Sequence, residues 1–230
     1  MKKLAIALLL ISSVCMTTTI NAQNLSTAED VLNAYYKAIG GKKALLNIKD
    51  LSWKGASGGN GASFPAVGTY KVPFKQVITS STPQGQVVYK FICDGKDATM
   101  LIGSNKVPMS RAVMDRYILT LQMMPELCLA DRGVKTTFAG KESVEGKEAY
   151  KLTHTMPDGS TWHTYYDTQT GLKVKLYVPG QSVGEINLYA DYRDVNGIKL
   201  PFVLYPGTGT LKIESYQLNT GISDDEFVIK

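Results

Sequence analysis

The sequence predicts an α+β fold that is mainly antiparallel β, with a barrel-like sheet and few helices. Two observations carry this prediction. Strand-like segments separated by turn signals every ~8–12 residues fill most of the chain after residue 50. Helical periodicity is confined to two places, one near the start and one in the middle. Runs of strands with segregated helices are typical of α+β architectures.

Residues 1–22 have the pattern of a secretory signal peptide. Lys2 and Lys3 precede an apolar run at residues 4–14, which is too short to span a bilayer because a spanning helix needs ~20 apolar residues. Small Ala22 stands at the expected cleavage position. Lipidation of Cys15 is the alternative. We therefore expect an exported, periplasmic protein with a single domain at residues 23–230, and association with the outer membrane stays open.

The mature chain has a small net positive charge. Removing Lys2 and Lys3 from the 25 basic residues leaves 23, against 20 acidic residues. The lysines are spread along the strands and form no cluster that would follow a phosphate backbone, so we do not expect nucleic-acid binding. Peripheral contact with an anionic membrane surface stays open. Cys93 and Cys128 remain after cleavage, as one disulfide or as two free thiols.

The first predicted helix begins at a capping box, in which Ser26 accepts from a backbone amide and Glu29 reaches back. Gly40-Gly41 ends it where a left-handed residue is wanted. A short second helix follows at residues 42–48. The apolar residues at helical spacing in the first helix are Val31, Leu32, Tyr35 and Ile39. These helices are expected to cover a sheet.

From residue 51 the apolar period changes to two, which is typical of strands. The glycine-rich residues 57–61 lack the Gly-Lys-Ser/Thr ending of a phosphate loop and are interpreted as a strand connection. Turn signals stand at 81–85, 94–95, 145–146, 158–159, 170–171, 179–180 and 196–197. The sequence thus predicts a series of antiparallel hairpins.

A helix-like segment at residues 111–129 interrupts the strands, and Pro125 limits it. Five of the eight methionines lie between Met100 and Met124. Methionine is flexible and polarizable, so it suits an adaptable ligand-facing surface, and core packing explains it equally well.

Both histidines, His154 and His163, flank the turn Pro157-Asp158-Gly159. A two-residue loop would make them direct cross-strand partners, close enough to begin a metal site. Pro-Asp-Gly instead favours a three-residue loop with a bulge. That register pairs His154 with Trp162 and puts the histidines on opposite faces of the sheet.

Motifs for catalysis or metal binding are missing from the sequence. It has no zinc-ligand spacing and no Gly-x-Ser-x-Gly nucleophile turn. Its carboxylates, such as Glu142, Glu148 and Asp194, cluster at predicted turns. We therefore expect no metal, no cofactor and no enzymatic activity, and a hydrolase that uses these carboxylates is the lesser alternative.

Apolar surface is the remaining signal. Residues 85–93 and 199–205 are apolar on both faces of the predicted strands. If a sheet of many strands curls and its few helices cover only the mouth, an apolar cavity is left, which is the usual character of a small-molecule site.

Four segments resemble LolA-like proteins of the Bacteroidetes, which are described as outer membrane lipoprotein-sorting or carrier-like proteins. The segments are "VLNAYYKAIGGKKALLNIKDLSWKG" from Val31, "VEGKEAYKLTHTMPDGSTWHTYYDTQTGLKVK" from Val144, "YADYRDVNGIKLPF" from Tyr189 and "NTGISDDEFVI" from Asn219. The resemblance covers nearly all of the mature chain, and its motifs are features of the fold.

The resemblance implies an unclosed antiparallel half-barrel of roughly eleven strands, with helices covering its concave face. It also implies a hydrophobic or acylated ligand in the cavity. On this basis the predicted wall residues are Trp53, Tyr70, Phe74 and Phe91. The predicted covering residues are Met114, Ile118, Leu121, Met123, Met124 and Leu127.

One departure separates the chain from this pattern. The carriers hold their covering helix with an arginine on an early strand, and no arginine precedes Arg111 here. The resemblance therefore implies a periplasmic carrier-like protein that binds a lipid, an acyl chain or a lipoprotein, and the ligand can differ from that of the carriers. The alternative is a module that docks on an envelope protein through a sheet edge or an apolar patch.

Overall fold

The computed structural model describes residues 24–59, 61–180, 186–207 and 209–229. The predicted signal peptide and Cys15 lie outside these residues. Within the described part of the chain, thirteen strands form one antiparallel sheet. They are β1 (Asp50–Gly59), β2 (Ala62–Lys71), β3 (Lys75–Ser81), β4 (Val87–Asp94), β5 (Ala98–Ile102), β6 (Asn105–Lys106), β7 (Lys135–Val144), β8 (Lys147–Thr155), β9 (Thr161–Asp167), β10 (Lys173–Tyr177), β11 (Ile186–Val195), β12 (Ile198–Pro206) and β13 (Thr210–Leu218).

The order of the strands leaves the sheet open. Each strand pairs with its neighbour along the chain, except that β1 pairs with β13 and that β6 and β7 form the two edges. The chain between these edges, residues 107–134, carries no strand and is called the covering segment below. The predicted α+β, unclosed half-barrel is confirmed, with thirteen strands in the described residues where roughly eleven were expected.

Helix α1 (Ala28–Ala38) begins one residue later than the predicted capping box. Thr27, not Ser26, is the N-cap, and its side chain accepts from the amide of Asp30. The hydroxyl of Thr27 also donates to the Asp30 carboxylate at 2.6 Å. The prediction was wrong by one residue because Ser26 and Thr27 are adjacent and both residue types can cap a helix. Helix α2 (Lys42–Leu46) is two residues shorter than predicted.

The N-terminal helices pack on the concave face of the sheet. Val31 and Tyr35 of α1 and its C-cap residue Ile39 are almost completely buried in a cluster with Leu152 and Leu200 of the sheet. Gly40 then passes directly against the β11–β12 hairpin, where a Cβ would overlap the carbonyl oxygen of Gly197. The carbonyl oxygen of Ile39 accepts from the amide of Lys199 at 3.0 Å. These contacts fix the helix over the later strands.

The covering segment contains a shorter helix than the sequence predicted. Helix α3 (Arg111–Thr120) is capped by Ser110 and stops well before residue 129. Two 3-10 turns, Pro125–Leu127 and Ala130–Arg132, complete the segment. The helix cannot continue because proline lacks an amide and its ring disfavours the helical conformation of the preceding residue. Met124 accordingly has φ −137° and ψ 60°.

The histidine hairpin has the predicted register. Gly159 is left-handed at φ 85°, and its amide donates to Met156 across the turn. His154 pairs with Trp162, and His163 pairs with Thr153. The two histidines therefore lie on opposite faces of the sheet, as the Pro-Asp-Gly turn indicates.

Candidate functional site

An apolar cleft lies between the covering segment and the rim of the sheet, with a volume of about 190 Å³. Leu45 and Ile48 beside α2 form one wall, Leu51 and Tyr70 of β1 and β2 form another, and the covering segment closes it. Leu46 and Val72 stand at its mouth and are more than half exposed. The remaining lining residues are Asp50, Lys71, Pro73, Gln122, Met123, Met124, Leu127, Cys128 and Asp131.

Four of the ten predicted ligand-binding residues line this cleft. They are Tyr70 on β2 and Met123, Met124 and Leu127 on the covering segment. Tyr70 lies far from the other three in the sequence, and the covering segment brings them together because it folds back over the strands. Their role in binding a ligand stays a prediction.

The other six predicted residues are packed in the interior. Trp53 belongs to the apolar cluster beneath α1 and is 3% exposed. Phe74, Phe91 and Ile118 are buried in a second cluster beneath α3, and Met114 and Leu121 pack against it. Together they join α3 to β4 and to the strands around Trp162. The five residues other than Trp53 thus form an apolar attachment of the covering segment.

A buried ion pair joins the covering segment to the sheet, and no pattern in the sequence predicts it. Glu126 lies on the 3-10 turn Pro125–Leu127, and its Oε1 is 2.8 Å from Nζ of Lys173 on β10. Both side chains are at most 2% exposed. The hydroxyl of Tyr166 donates to the same Oε1 at 3.1 Å, and the hydroxyl of Tyr36 donates to the Glu126 carbonyl oxygen at 2.9 Å.

The ion pair keeps the Lys173 ammonium charged in the interior. Burial alone would lower the pKa of Lys173, but the charge of Glu126 and the hydrogen bond to it outweigh burial and raise that pKa. Tyr166 is neutral, because burial and the adjacent Glu126 charge raise its pKa well above the ordinary value. Buried charges that lack a partner are strongly unfavourable, so Glu126 and Lys173 depend on each other.

Further polar contacts attach the covering segment to the sheet and its turns. The side-chain amide of Gln76 on β3 donates to the carbonyl oxygen of Ile118 at 3.0 Å. Arg132 donates to the carbonyl oxygen of Gly95, and its guanidinium lies 4.1 Å from the ring centroid of Phe74. The resemblance implied an arginine on an early strand that reaches the covering helix. Here Arg132 lies on the covering segment itself and reaches towards the early strands.

His154 is a structural residue of the interior. Its Nδ1 is 2.9 Å from the hydroxyl of Thr136, and its Nε2 is 2.7 Å from the hydroxyl of Thr164. Its ring stacks on Trp162 at 5.0 Å. Burial, followed by the charges of Lys173 and His163, lowers the pKa of His154 to about 3. The described residues contain no group of three or more His, Cys, Asp or Glu that could hold a metal ion.

Both cysteines of the described chain are free thiols. Cys93 is fully buried on β4, whereas Cys128 lines the cleft. Burial raises the pKa of each thiol to about 11. A thiol in this state reacts slowly, because the thiolate is the nucleophile.

The outer face of the sheet carries a second hollow, of about 480 Å³. Val144, Leu188 and the exposed Tyr205 contribute to its lining. Val144 also belongs to a small apolar cluster with Ala149 and Tyr165. Among the residues that the structure describes, we find no helix with the length and hydropathy of a membrane span.

Three solved structures share this architecture. A DUF1329 family protein from Desulfovibrio piger aligns with a TM-score of 0.57 at 13% identity, covering 89% of this chain and 98% of that one. A LolA superfamily protein from Nitrosomonas europaea aligns with a TM-score of 0.56 at 10% identity, covering 89% and 99%. A domain from Vibrio parahaemolyticus described as outer membrane lipoprotein-sorting aligns with a TM-score of 0.53 at 10% identity, covering 87% and 94%.

No protein-family model and no curated protein matches the chain. At these identities the similarity establishes the fold. The chain has a LolA-like fold, as the sequence segments indicated.

Proposed function

We propose, from its LolA-like fold, that the chain is a periplasmic carrier-like protein that binds a lipid, an acyl chain or a lipoprotein in the apolar cleft beneath the covering segment. The single observation that carries this proposal is the cleft itself, with its apolar walls and the exposed Leu46 and Val72 at its mouth. A fold shared with a domain described as outer membrane lipoprotein-sorting supports it. The signal-peptide pattern of residues 1–22 supports the periplasmic location.

The covering segment is the part of this fold that suits ligand entry. Met123 and Met124 lie on an irregular stretch between α3 and the first 3-10 turn. Methionine side chains adapt to ligands of different shape. Small-molecule sites usually have volumes of ~300–1,000 Å³, so a long acyl chain requires this stretch to move away from Leu51 and Tyr70.

Cys128 provides a direct test, because its thiol lines the cleft. Labelling of Cys128 by a thiol reagent is expected to slow at least severalfold when the protein is saturated with a fatty acid or a diacyl lipid. Cys93 is fully buried and does not line the cleft, so its labelling in the Cys128→Ser variant serves as the internal control for general opening of the protein. Labelling of Cys128 that is unchanged by every lipid, together with lipid-free organic extracts of gently purified protein, would contradict the proposal.

The second candidate function is docking on an envelope protein, and the outer-face hollow favours it. Tyr205 at its edge is 44% exposed, and tyrosine is enriched at protein interfaces. Charge reversal at Lys147, which lines the same hollow, would weaken a partner interaction and leave lipid binding intact. Loss of lipid binding in that variant would argue against two separate surfaces.

A further inference from the structure

Glu126 takes part in two features at once. It lies on the 3-10 turn Pro125–Leu127, and its neighbours Met124 and Leu127 line the apolar cleft. Its own side chain points away from the cleft mouth to Lys173 and Tyr166. A movement of this turn would therefore change the cleft and the ion pair together.

Lys173 and Tyr166 form a receptor for one carboxylate. The ammonium of Lys173 and the hydroxyl of Tyr166 both donate to Oε1 of Glu126, at 2.8 Å and 3.1 Å. The rings of Tyr35 and Tyr189 lie 5.8 Å and 5.0 Å from Nζ of Lys173. The second oxygen of Glu126, Oε2, is buried and has no hydrogen-bond partner among the described residues. Glu126 therefore occupies this site while only one of its two carboxylate oxygens accepts hydrogen bonds.

Opening the cleft separates these charges. The present volume of about 190 Å³ is smaller than that of a typical small-molecule site, so a long chain can enter only if residues 123–127 move. That movement takes Glu126 away and leaves the Lys173 ammonium in the interior without an anion. A buried, unpaired charge is strongly unfavourable. A ligand that brings its own anion removes this penalty, whereas a neutral ligand does not.

We propose that Glu126 occupies the position of a ligand head group, and that the ligand is a fatty acid whose carboxylate replaces Glu126 on Lys173 and Tyr166. The chain of the fatty acid fills the cleft between Met124 and Tyr70. This inference rests on the proposed function and narrows it to ligands with a free carboxylate. It also assigns the covering segment a self-inhibiting contact, because Glu126 competes with the ligand.

The test compares palmitoleic acid with palmitoleyl alcohol, which has the same chain and no charge. Each displaces the neutral fluorescent probe N-phenyl-1-naphthylamine from the whole mature protein at about pH 8, where a carboxylic acid is ionised. The acid is expected to bind about tenfold more tightly than the alcohol, because hydrogen bonds between charged groups are strong. Glu126→Gln is expected to strengthen binding of the acid and not of the alcohol.

Lys173→Met is expected to remove the preference for the acid. The double variant Glu126→Gln/Lys173→Met removes both charges and repeats this measurement if the single variant does not fold. The ion pair between Glu142 and Lys151 on the outer face provides matched controls. Glu142→Gln and Lys151→Met should keep the preference of the unchanged protein.

Three results would overturn the inference. Equal affinity for acid and alcohol in the unchanged protein and in Glu126→Gln would refute it and leave lipid binding intact. A preference for the acid that survives the loss of Lys173 would place the carboxylate elsewhere. Displacement by neither compound in any variant would refute both the inference and the proposed function.

Discussion

Gly68 on β2 shows how a single side chain shapes the interior. It pairs with Trp53, and the indole ring lies directly across it, so that a Cβ at Gly68 would overlap the ring. Trp53 is 3% exposed and packs beneath α1, so it has little room to move. The absence of a side chain at Gly68 therefore allows the tryptophan to fill the core.

Gly68→Ala is expected to lower the free energy of unfolding by about 1–3 kcal/mol, because overpacking forces neighbouring side chains or backbone to shift. Urea unfolding followed by Trp fluorescence measures it. Val67→Ala is the matched control, since Val67 is the next residue on the strand and is 44% exposed. Gly68→Ala should have a clearly lower free energy of unfolding than Val67→Ala, and equal values would contradict the predicted overlap.

His154 makes stability depend on pH. Its folded-state pKa of about 3 lies below the ordinary value of 6.5, so the unfolded chain binds the proton more tightly. The stability contribution is therefore complete above about pH 6.5 and is lost progressively as the pH falls towards 3. Between pH 7 and pH 5 this residue alone should cost about 2 kcal/mol.

The measurement is urea unfolding at these two pH values for the unchanged protein and for His154→Gln, which cannot titrate. The variant is less stable at pH 7 but should lose about 2 kcal/mol less on acidification. His163→Gln is the control on the opposite face. Its ring is less buried and the pKa of His163 is lowered less. Identical pH dependence in all three proteins would contradict this assignment.

At the scale of elements, the ion pair between Glu126 and Lys173 joins the covering segment to β10. Either charge alone would be isolated in the interior, because both side chains are almost completely buried. Removal of one partner of such a pair typically costs ~3–5 kcal/mol, and replacement of both by apolar groups costs much less.

We therefore expect Glu126→Leu to lower the free energy of unfolding by about 3–5 kcal/mol and Glu126→Leu/Lys173→Met to recover most of that loss. Chemical denaturation of the unchanged protein, the two single variants and the double variant gives the coupling free energy between Glu126 and Lys173. The same cycle on Glu142 and Lys151, which are more exposed, should give a coupling below about 1 kcal/mol. Additive losses at the buried pair would show that the two residues act independently.

The elements also differ in how well the sequence predicts them. The hairpin around Pro157 and Gly159 follows from local turn chemistry, so its register was predicted correctly. The start of α1 was wrong by one residue because two adjacent residues can cap it. The predicted length of α3 was wrong because the apolar spacing continues after Thr120, whereas the helix ends there and two 3-10 turns follow.

At the scale of the molecule, the fold brings together residues that are distant in sequence and that no local sequence pattern links. The half-barrel could be predicted because the turn signals are regular and each strand pairs with the next. The pairing of Glu126 with Lys173 could not, because these residues are distant in sequence and look like ordinary surface charges. The cleft itself depends on how residues 122–128 fold back over Tyr70, which the periodicity of the segment does not determine.

Amide hydrogen exchange should distinguish the covering segment from the paired strands of the sheet. Amides of residues 121–134 lie in irregular turns outside the sheet and should exchange faster than those of β1 and β2, which pair on both sides. A bound fatty acid should slow exchange in residues 121–134 and leave β12 and β13, which do not line the cleft, unchanged. A uniform effect over the sheet, or none in this segment, would contradict a ligand site beneath it.

The pairing of β1 with β13 has a consequence for how the chain acquires its structure. Nearly every other strand pair is a hairpin that can form as soon as its own residues meet, but Leu51 pairs with Leu218 across most of the described chain. Contacts between such distant residues are slow to form, because a long loop must close first. We expect two half-sheets, β1–β6 and β7–β13, to form early. The pairing between β1 and β13 should form last.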